Sequence, residues 1–393
     1  IHKKDPRNRS AATRKRELYK KSRYYQESRQ KLYIAGGIGA FILVFILILA
    51  CIRGCSNYRN SKAAEKAAAQ DAVSMNVNSE TSSEAADAVV MNPVSLTLSV
   101  VGDCTLGTDE TFDYDTSLNA YYESYGADYF FQNVRSIFQK DDLSIVNMEG
   151  TLTDETAREA KTFAFKAPAK YAAILSGSSI EAANLANNHS HDYGKKSYTD
   201  TISALDDAGI ASFGYNRVKI FKVKGIKVGV TGIYELADHQ KRASQVKKNI
   251  KALKKAGAQI IIVNFHWGIE KQYTPDENQK ALAHLAIDEG ADLVIGHHPH
   301  VLEGIEKYNG KYICYSLGNF CFGGNSTPGD TDSMIVQQTF TFHKGNLKKS
   351  SKLNIIPCSI TSSSGYNDYC PVPLTGDEKQ RVLDKISQYS EEL

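Results

Sequence analysis

The chain has 393 residues, 42% of them hydrophobic and 23% charged, which is typical of a globular protein long enough for more than one domain. Its formal net charge of +3 is unevenly distributed, because residues 1–33 contain twelve lysines and arginines but only three acidic residues. This head therefore carries about +9, and the rest of the chain about −6. A basic head on an acidic body argues against a nucleic-acid binder and favours a segment that orients the chain in a membrane.

An uncharged apolar run, residues 33–52, follows the basic head. It has the length that a helix needs to cross a hydrocarbon core of ~30 Å, and it lacks the amphipathic period of a buried core helix. Because the basic residues lie on its N-terminal side, we expect residues 1–32 in the cytoplasm and the rest outside, as a single-pass cell-membrane protein. The alternative is a lipoprotein cleavage site at residues 48–51, although the basic region is long for a signal peptide.

A low-complexity stalk is predicted at residues 53–92. The segment is rich in Ala, Ser, Asn and Glu, and it has no aromatic residue after Tyr58. Such a composition buries little apolar surface, so a spacer is the expected structure.

The seven cysteines are odd in number and include no close Cys-x-x-Cys pair. This pattern argues against a zinc ribbon and against a dense disulfide scaffold. Cys358 and Cys370 could pair outside the cell, and the sequence leaves this open.

Recurrent apolar runs begin at Pro93, and helix-like stretches separate several of them. Residues 274–290 have helical apolar spacing, a Thr cap, a Pro at the first helical position and a closing Gly, and residues 197–209 are similar. The alternation predicts an α/β domain at residues 93–350, with strands buried on both faces, and a C-terminal extension at residues 351–393. The apolar runs are residues 95–103, 143–150, 180–189, 227–235, 258–268, 291–300 and 312–320.

Nearly every apolar run ends on residues that can bind a metal or transfer a proton. Each of them alone could simply belong to a turn. Strand ends of α/β proteins gather at one edge, however, so five such ends together indicate a site. The residues are Asp103, Asn147, Glu149, Asn187, Asn188, His189, His266, Glu270, His297, His298 and His300.

Three of the ten histidines fall within the segment GHHPH, residues 296–300. Pro299 favours an extended backbone at His298, so His298 and His300 should share one face, with His297 on the other. Neutral imidazoles held this way, near carboxylate and amide oxygens, suit Zn²⁺, Mn²⁺ or Fe²⁺. The alternative is a polar turn with one satisfied histidine.

The ordered motifs GDCTLG, NMEG, NNHSHDYG, HWGIE, GHHPH and SLGNF resemble those of the CapA family of capsule proteins, named for poly-γ-glutamate synthesis. The match covers about residues 95–345. That family resembles the calcineurin-like metallophosphoesterases, so the resemblance implies a sandwich of two sheets flanked by helices. It also implies a role in the synthesis or export of an anionic surface polymer such as poly-γ-glutamate, possible contact with other capsule-synthesis membrane proteins, and no nucleic-acid partner.

The resemblance also implies roles for single residues. His189 matches a histidine that in the superfamily works as general acid, which would protonate a leaving group, or as transition-state donor. One or two divalent cations would stabilise a developing oxyanion and lower the pKa of a bound water. The implied metal ligands are Asp103, Glu149, Asn188, His266, His298 and His300.

Two positions depart from the phosphoesterase pattern. Where those enzymes have Asp-x-His, Asp103 is followed by Cys104 and Thr105, and Glu149 replaces a shorter aspartate. Two interpretations therefore stay open. One is a metal-dependent hydrolase of a phosphoester or a polymer amide, and the other is a non-enzymatic membrane component that binds or guides the polymer.

Further residues are candidates for supporting the ligands or contacting a substrate. Trp267, the only tryptophan, could line a pocket or pack in the core, and Glu270 could partner a histidine. The basic helix at residues 241–257 is most simply a solvated face, with polyanion contact as the alternative. The supporting candidates are Asn147, Asn187, Trp267, Glu270, His297 and Asn319.

Overall fold

The computed structural model of the chain describes residues 93–390. The basic head, the predicted transmembrane helix at residues 33–52 and the predicted stalk lie outside the described residues. Among the helices of residues 93–390, none combines the length and the apolar character that crossing a membrane requires.

The described residues form strands and helices in mixed order. The strands are β1 (Val94–Thr105), β2 (Thr108–Asp109), β3 (Leu143–Glu149), β4 (Thr151–Leu152), β5 (Phe165–Ala167), β6 (Ala182–Asn184), β7 (Ala211–Phe213), β8 (Lys219–Val223), β9 (Ile226–Tyr234), β10 (Ile260–His266), β11 (Leu293–His297), β12 (Ile305–Tyr308), β13 (Lys311–Cys314), β14 (Asn319–Phe322), β15 (Asp332–His343), β16 (Asn346–Ser350), β17 (Asn354–Ser359) and β18 (Val372–Pro373). The helices are α1 (Leu118–Tyr125), α2 (Arg135–Phe138), α3 (Ala173–Ser176), α4 (Gly194–Asp207), α5 (Ala243–Lys255), α6 (Glu277–Asp288) and α7 (Gly376–Tyr389).

Most strands belong to two large sheets. The nine-stranded sheet has the order β18-β17-β15-β1-β3-β6-β7, with β14 added beside β1 and β16 beside β15. The six-stranded sheet has the order β12-β13-β11-β10-β9-β8, and a small third sheet has the order β2-β5-β4.

The apolar core lies between the two large sheets and continues under the helices on both outer faces. One buried cluster joins β1 and β3 to β9, β10 and β11, for example through Leu98, Ile145 and Ile262. The other side of the nine-stranded sheet packs against α4, and the other side of the six-stranded sheet packs against α5 and α6. Strands covered on both faces need apolar residues at nearly every position, which explains their continuous apolar runs. The predicted α/β arrangement with flanking helices is confirmed.

Parallel pairing brings the strand ends with metal-binding residues to one edge of the sandwich. In the nine-stranded sheet β1 is parallel to β3, and Asp103 lies opposite Asn147. In the six-stranded sheet β10 is parallel to β11, and His266 lies opposite His297. The polar residues that end these strands therefore meet at the carboxyl edge, as such residues do in other α/β folds.

The predicted run at residues 312–320 forms two strands rather than one. Its first part is β13 in the six-stranded sheet, and its last part begins β14 in the nine-stranded sheet. Gly318 between them has φ 68°, a left-handed conformation that glycine adopts without steric cost. The chain crosses between the sheets at this point and delivers Asn319 to the edge of β1.

The helix predicted at residues 274–290 begins later than its sequence pattern indicates. Asp276, not Thr274, is the N-cap, and its side chain accepts from the backbone of Gln279 while the Gln279 side chain accepts from the backbone of Asp276. This reciprocal capping box satisfies two helix-end donors, which a single threonine cap would not.

The described part of the C-terminal segment, residues 351–390, contributes to the same sheet as β1. β17 pairs with β15 and β18 pairs with β17, while Val382 and Ile386 of α7 are buried in the core between the sheets. Arg381 of α7 makes two hydrogen bonds to the Asp332 carboxylate, of 2.8 and 2.6 Å.

Cys358 and Cys370 are both free, buried thiols in the structure. The Cys370 Sγ accepts from the Asn133 side chain at 3.2 Å, whereas the Cys358 Sγ contacts the carbonyl of Ile356 at 3.4 Å. The disulfide that the sequence left open is therefore not formed between them.

Helix α5 is amphipathic. Val246, Ile250 and Leu253 are buried, whereas its five lysines are exposed, and Lys247 forms an ion pair with Glu289 at 3.6 Å. This pattern matches the solvated basic face that the sequence indicated.

Candidate metal centre

Asp103, near the end of β1, is fully buried at the carboxyl edge. Its Oδ1 accepts from the Asn147 amide at 2.8 Å, and its Oδ2 accepts from the backbone N–H of His298 at 3.1 Å. Burial raises the pKa of Asp103, but the neighbouring His297 and His300 side chains outweigh it and hold that pKa well below its usual range. Asp103 is therefore an ionised carboxylate at the centre of the histidine cluster.

Glu149 ends β3 and is also fully buried. The Thr105 hydroxyl donates to its Oε2 at 3.2 Å, and the His266 Nε2 lies 3.3 Å from its Oε1, which accepts no hydrogen bond. Burial and the nearby Asp103 charge raise the pKa of Glu149. A second carboxylate buried this close to Asp103 is stabilised only if positive charge lies between them.

His266 ends β10 and brings the six-stranded sheet to the same place. Its Nε2 lies 2.7 Å from the Asn188 Oδ1, and its Nδ1 lies 3.3 Å from the Asn147 amide nitrogen. Burial and the nearby His298 ring lower the pKa of His266 well below its usual value, so the imidazole is neutral. A neutral imidazole is the form that binds a metal.

The segment after β11 is a tight turn and not the extended stretch that the sequence predicted. His298 has φ 97° and His300 has φ 58°, a left-handed conformation that costs of order 1–3 kcal/mol for residues with a Cβ. Their rings nevertheless converge, with centroids 5.6 Å apart, and the ring of His298 lies 4.8 Å from that of His266. His298 and His300 therefore do face the same side, as predicted, but the cause is the strained turn and not an extended segment.

His297 does not turn away from the cluster as the extended geometry implied. It is the last residue of β11 and is fully buried, and its Nδ1 lies 3.4 Å from the Asp103 Oδ1. The side chains of His297 and His300 and the backbone N–H of His298 therefore all lie against the Asp103 carboxylate.

The charge states of the last two histidines differ. Burial and the charge of His300 lower the pKa of His298 to about 3, and its buried Nδ1 has no hydrogen-bond partner. Burial also lowers the pKa of His300, but the Glu149 and Asp103 carboxylates outweigh it and raise that pKa to about 10. One neutral and one cationic imidazole thus lie side by side.

The ligand atoms form three groups that could each hold a metal ion, with all atoms of a group within 4.8 Å of one another. Glu149, His298 and His300 each belong to two of them, so neighbouring groups share residues. The residues fit divalent cations, because buried Glu149 and His298 atoms without partners point into these groups. The groups are Glu149, His266 and His298; Asp103, Glu149 and His300; and Glu270, His298 and His300.

His189 lies beside these groups and is held by a buried carboxylate. Its Nδ1 lies 2.7 Å from the Asp192 Oδ2, while the Lys161 Nζ donates to the Asp192 Oδ1 at 2.7 Å and to the carbonyl of Asn188 at 2.8 Å. Burial lowers the pKa of His189, although Asp192 partly offsets this. With Nδ1 engaged, Nε2 is the ring nitrogen available for a proton transfer.

A cavity of about 470 Å³ opens beside His189 and His300. Glu270 lies exposed on its rim, and Asn319 lines it while its Oδ1 lies 2.9 Å from the His300 Nδ1. Asn319 therefore orients a candidate ligand, and Glu270 can reach the centre from the solvent side. Trp267 does not line this cavity.

Two other supporting candidates have structural contacts. Asn187 donates to the carbonyl of Met148 at 2.8 Å and accepts from the backbone N–H of His189 at 3.0 Å, so it fixes the loop rather than facing the cavity. Trp267 is fully buried, stacks on Phe265 with centroids 4.2 Å apart, and lies in the core on the helical side of the six-stranded sheet. Of the two possibilities given for Trp267, the structure shows packing in the core and not the lining of a pocket.

Asp192, Lys161 and Asn184 also belong to the site, although they are not among the residues that the sequence indicated, and Thr105 stood out only as a departure from the superfamily pattern. Asp192 carries a local signal, since it follows His189 by three residues within the motif NNHSHDYG. Asn184 donates to the Asn147 side chain at 2.9 Å from β6, and Lys161 reaches His189 from a loop about 28 positions earlier, with no motif of its own.

Comparison with known proteins gives matches over most of this domain. The family described as "Bacterial capsule synthesis protein PGA_cap" matches residues 97–324. The chain is 30% identical over 315 residues to "PGA biosynthesis protein CapA" of Bacillus subtilis, which covers 73% of this chain and 76% of that protein. It is 30% identical over 321 residues to "Capsule biosynthesis protein CapA" of Bacillus anthracis, covering 75% and 73%. A "Probable polyglutamine synthesis accessory protein" of Mycobacterium tuberculosis is 31% identical over 209 residues, covering 45% and 55%.

Proposed function

Since this chain belongs to the bacterial capsule synthesis protein family, within the metallophosphoesterase-like superfamily, we propose that it is a metal-dependent hydrolase of capsule or poly-γ-glutamate synthesis or export. The observation that carries the proposal is the placement of Glu149 in two adjoining ligand groups, beside a cavity that also contains His189. A shared carboxylate next to a candidate proton donor is the arrangement that hydrolysis of a phosphoester or an amide requires.

One or two Mn²⁺, Zn²⁺ or Fe²⁺ ions are the proposed cofactor. Carboxylate and imidazole ligands together suit these ions better than Ca²⁺ or Mg²⁺, which prefer oxygen ligands alone. When bound, such ions polarise a phosphoryl or carbonyl oxygen and increase the acidity of water. The proposed ligands are Asp103, Glu149, Asn188, His266, His298 and His300.

His189 is the proposed proton donor to the leaving group. Asp192 holds its Nδ1 at 2.7 Å and so directs Nε2 toward the substrate. Lys161 forms an ion pair with Asp192 at 2.7 Å, which holds the carboxylate in place. The protein residues therefore position the substrate and move one proton at Nε2.

The proposed location follows from the predicted membrane segment at residues 33–52. We place residues 93–390 outside the cell membrane, where an anionic polymer such as poly-γ-glutamate and other capsule-synthesis membrane proteins would be accessible. This placement is consistent with the basic residues of the head, which favour the cytoplasmic side of a span.

A non-enzymatic function, binding or guiding the polymer, is the second candidate. The observation that favours it is Thr105, which occupies the position where the superfamily has a histidine ligand, so one ion would have fewer protein ligands. If only one ion were held, it would still attract an anionic polymer but would not complete a two-metal hydrolysis site.

The two functions can be separated with the purified full-length chain in detergent. Metal content is measured by elemental analysis, and hydrolysis is measured with generic phosphoesters and poly-γ-glutamate. His298→Ala should lose metal and activity together, whereas the control His284→Ala should keep both. His284 lies in α6, and its ring stacks on that of Tyr308 in β12. Metal-loaded wild type that cleaves no ester and no amide would leave the binding function as the better account.

A further inference from the structure

Phe163 is an exposed aromatic residue at the junction of two cavities. Its relative exposure is 47%, unusual for a phenylalanine in a folded domain. It lines both the 470 Å³ cavity that contains His189 and His300 and a second cavity of about 260 Å³. Gly324 and Asn325 also line both, so the two cavities adjoin at Phe163, and together they are called the groove.

The backbone on either side of Phe163 is held by hydrogen bonds, one of them buried. The N–H of Ala164 donates to the Asp109 Oδ2 at 2.6 Å, and Arg158 donates to the carbonyl of Thr162 at 2.9 Å. Arg158 also forms an ion pair with the buried Asp109 carboxylate at 2.8 Å. An exposed ring held on a fixed backbone loses little conformational entropy when a ligand contacts it, which favours a binding role over an incidental exposure.

The ring of Phe163 continues an aromatic wall that begins at the candidate proton donor. The Phe165 ring lies 4.6 Å from the imidazole of His189. Phe163 stacks parallel to Phe165 at 6.3 Å and 11°, and Phe112 meets Phe163 edge-on at 5.8 Å. A molecule that reacts beside His189 therefore has a continuous apolar surface along which its far end can lie.

The charges along this groove do not suit an anionic chain. Apart from His189 and His300 at the metal centre, the charged residues that line the larger cavity are Glu270, Asp330 and Lys271, and the smaller cavity is lined by Asp113. Asp330 forms an ion pair with Lys385 at 2.7 Å, which compensates its charge. Away from the metal centre and the cationic His300, the groove is therefore nearly neutral to slightly acidic, whereas polyanion channels carry an excess of positive charge along their length.

We propose that Phe163 is a substrate-binding residue and that the substrate is a phosphate ester of an uncharged alcohol bearing a ring, with the ring stacked on Phe163. The inference rests on the proposed hydrolase function and names its substrate class. Hydrolysis forms a bond between a water oxygen and phosphorus and breaks the bond between phosphorus and the alcohol oxygen. That oxygen takes a proton from the Nε2 of protonated His189, the proton released by the attacking water restores the protonated ring, and the products are phosphate and the free alcohol.

Binding of two phosphonates to the Mn²⁺-loaded full-length chain tests the ring site. 3-Phenylpropylphosphonate carries a ring, and propylphosphonate is its match without one; neither has an ester bond to hydrolyse. Phe163→Ala should raise the Kd for the ring-bearing compound about tenfold, equivalent to about 1.4 kcal/mol, and leave the other unchanged. Phe163→Trp should restore the affinity. Tyr125→Ala, which removes an aromatic residue with 62% exposure on α1, should change neither Kd.

Equal effects of Phe163→Ala on both phosphonates, or none on either, would overturn the proposal. Displacement of 3-phenylpropylphosphonate by poly-γ-glutamate oligomers would also overturn it, because the groove would then accept a polyanion. Hydrolysis of 3-phenylpropyl phosphate and propyl phosphate, whose leaving groups are chemically alike, tests the enzymatic function separately. If neither ester is cleaved while the Phe163-dependent binding stands, the hydrolase proposal fails and the ring site remains as a binding site.

Discussion

The His297 Nδ1 lies 3.4 Å from the Asp103 Oδ1, and both side chains are fully buried. The pair joins the last residue of β11 in one sheet to β1 in the other, at the edge where the candidate metal ligands meet. His297 itself belongs to none of the groups that could hold an ion. Its contact with Asp103 therefore supports the carboxylate, while His298 and His300 face the metal positions.

Because these three histidines have different contacts, substituting each of them by alanine should change the amount of bound metal differently. His298→Ala and His300→Ala should each abolish or strongly reduce bound metal. His297→Ala should retain most of the metal but lower the thermal midpoint, because it leaves a cavity beside a buried carboxylate. Elemental analysis and thermal unfolding of the three variants check this. Equal metal loss in all three would show that His297 is a ligand.

The α7 helix permits a comparison of an apolar contact with an ion pair. Ile386→Ala should lower the free energy of unfolding by about 2–5 kcal/mol, because the side chain is buried between the two sheets. Arg381→Ala should cost about 1 kcal/mol or less, since the Arg381 side chain is 49% exposed and Asp332 keeps its ion pair with Lys385 at 2.9 Å. Urea unfolding measures both. A larger loss for Arg381→Ala would mean that the ion pairs, not burial, hold the helix.

Much of the fold was predictable because its central strands are covered on both faces. β3, β10 and β11 are buried at every position, and the sequence shows each as a mainly apolar run that ends on polar residues. β15 was not identified from such runs, because its second half alternates buried and half-exposed positions and includes glutamines and threonines. Its pairing with β1, more than 200 positions away, is set by the whole sheet and leaves no local signal.

The candidate site was predictable where a strand end carries a metal-binding residue, as at Asp103 and His266. The turn at His298 was not, because Pro299 favours an extended conformation there and the tertiary structure imposes φ 97° instead. Lys161 comes from a loop with no regular pattern, and only the folded chain shows that it reaches Asp192.

The buried carboxyl of Glu303 should make the free energy of unfolding decrease as pH rises. Burial raises the pKa of Glu303 from 4.5 to about 8, against a smaller opposing effect of the hydrogen bond from Gln279. The folded state therefore holds this proton more tightly than the unfolded state, and the associated stability is complete below pH about 4.5 and lost as pH rises through about 8. Within that pH window, the loss of this one proton lowers the free energy of unfolding by about 1.4 kcal/mol for each pH unit.

Glu303→Gln should flatten this slope while keeping an oxygen that accepts from Gln279 at the same place. Denaturant unfolding between pH 5 and pH 8 measures it, with Glu123→Gln on the exposed face of α1 as the control. An unchanged slope in Glu303→Gln would assign the pH dependence to another group.

Asn188 and His189 are adjacent but contact different partners, and their variants should fail differently. Asn188→Ala removes the oxygen that lies 2.7 Å from the His266 Nε2 and should weaken metal binding. His189→Ala should keep the metal and lower turnover by roughly 10²–10⁴, the scale of general acid catalysis. The decrease should shrink for a nitrophenyl ester, whose leaving group needs no proton. Asp192→Asn should resemble a partial His189→Ala, since the ring loses the carboxylate that fixes it.

The matched control is His191→Ala, two residues further on, whose ring stacks on Tyr198 at 4.6 Å and does not line the cavity. It should keep both metal and rate. Elemental analysis, thermal unfolding and rates on alkyl and nitrophenyl esters distinguish the roles. If His189→Ala lost thermal stability without any dependence of the rate defect on the leaving group, His189 would be a residue that fixes the loop and not a proton donor.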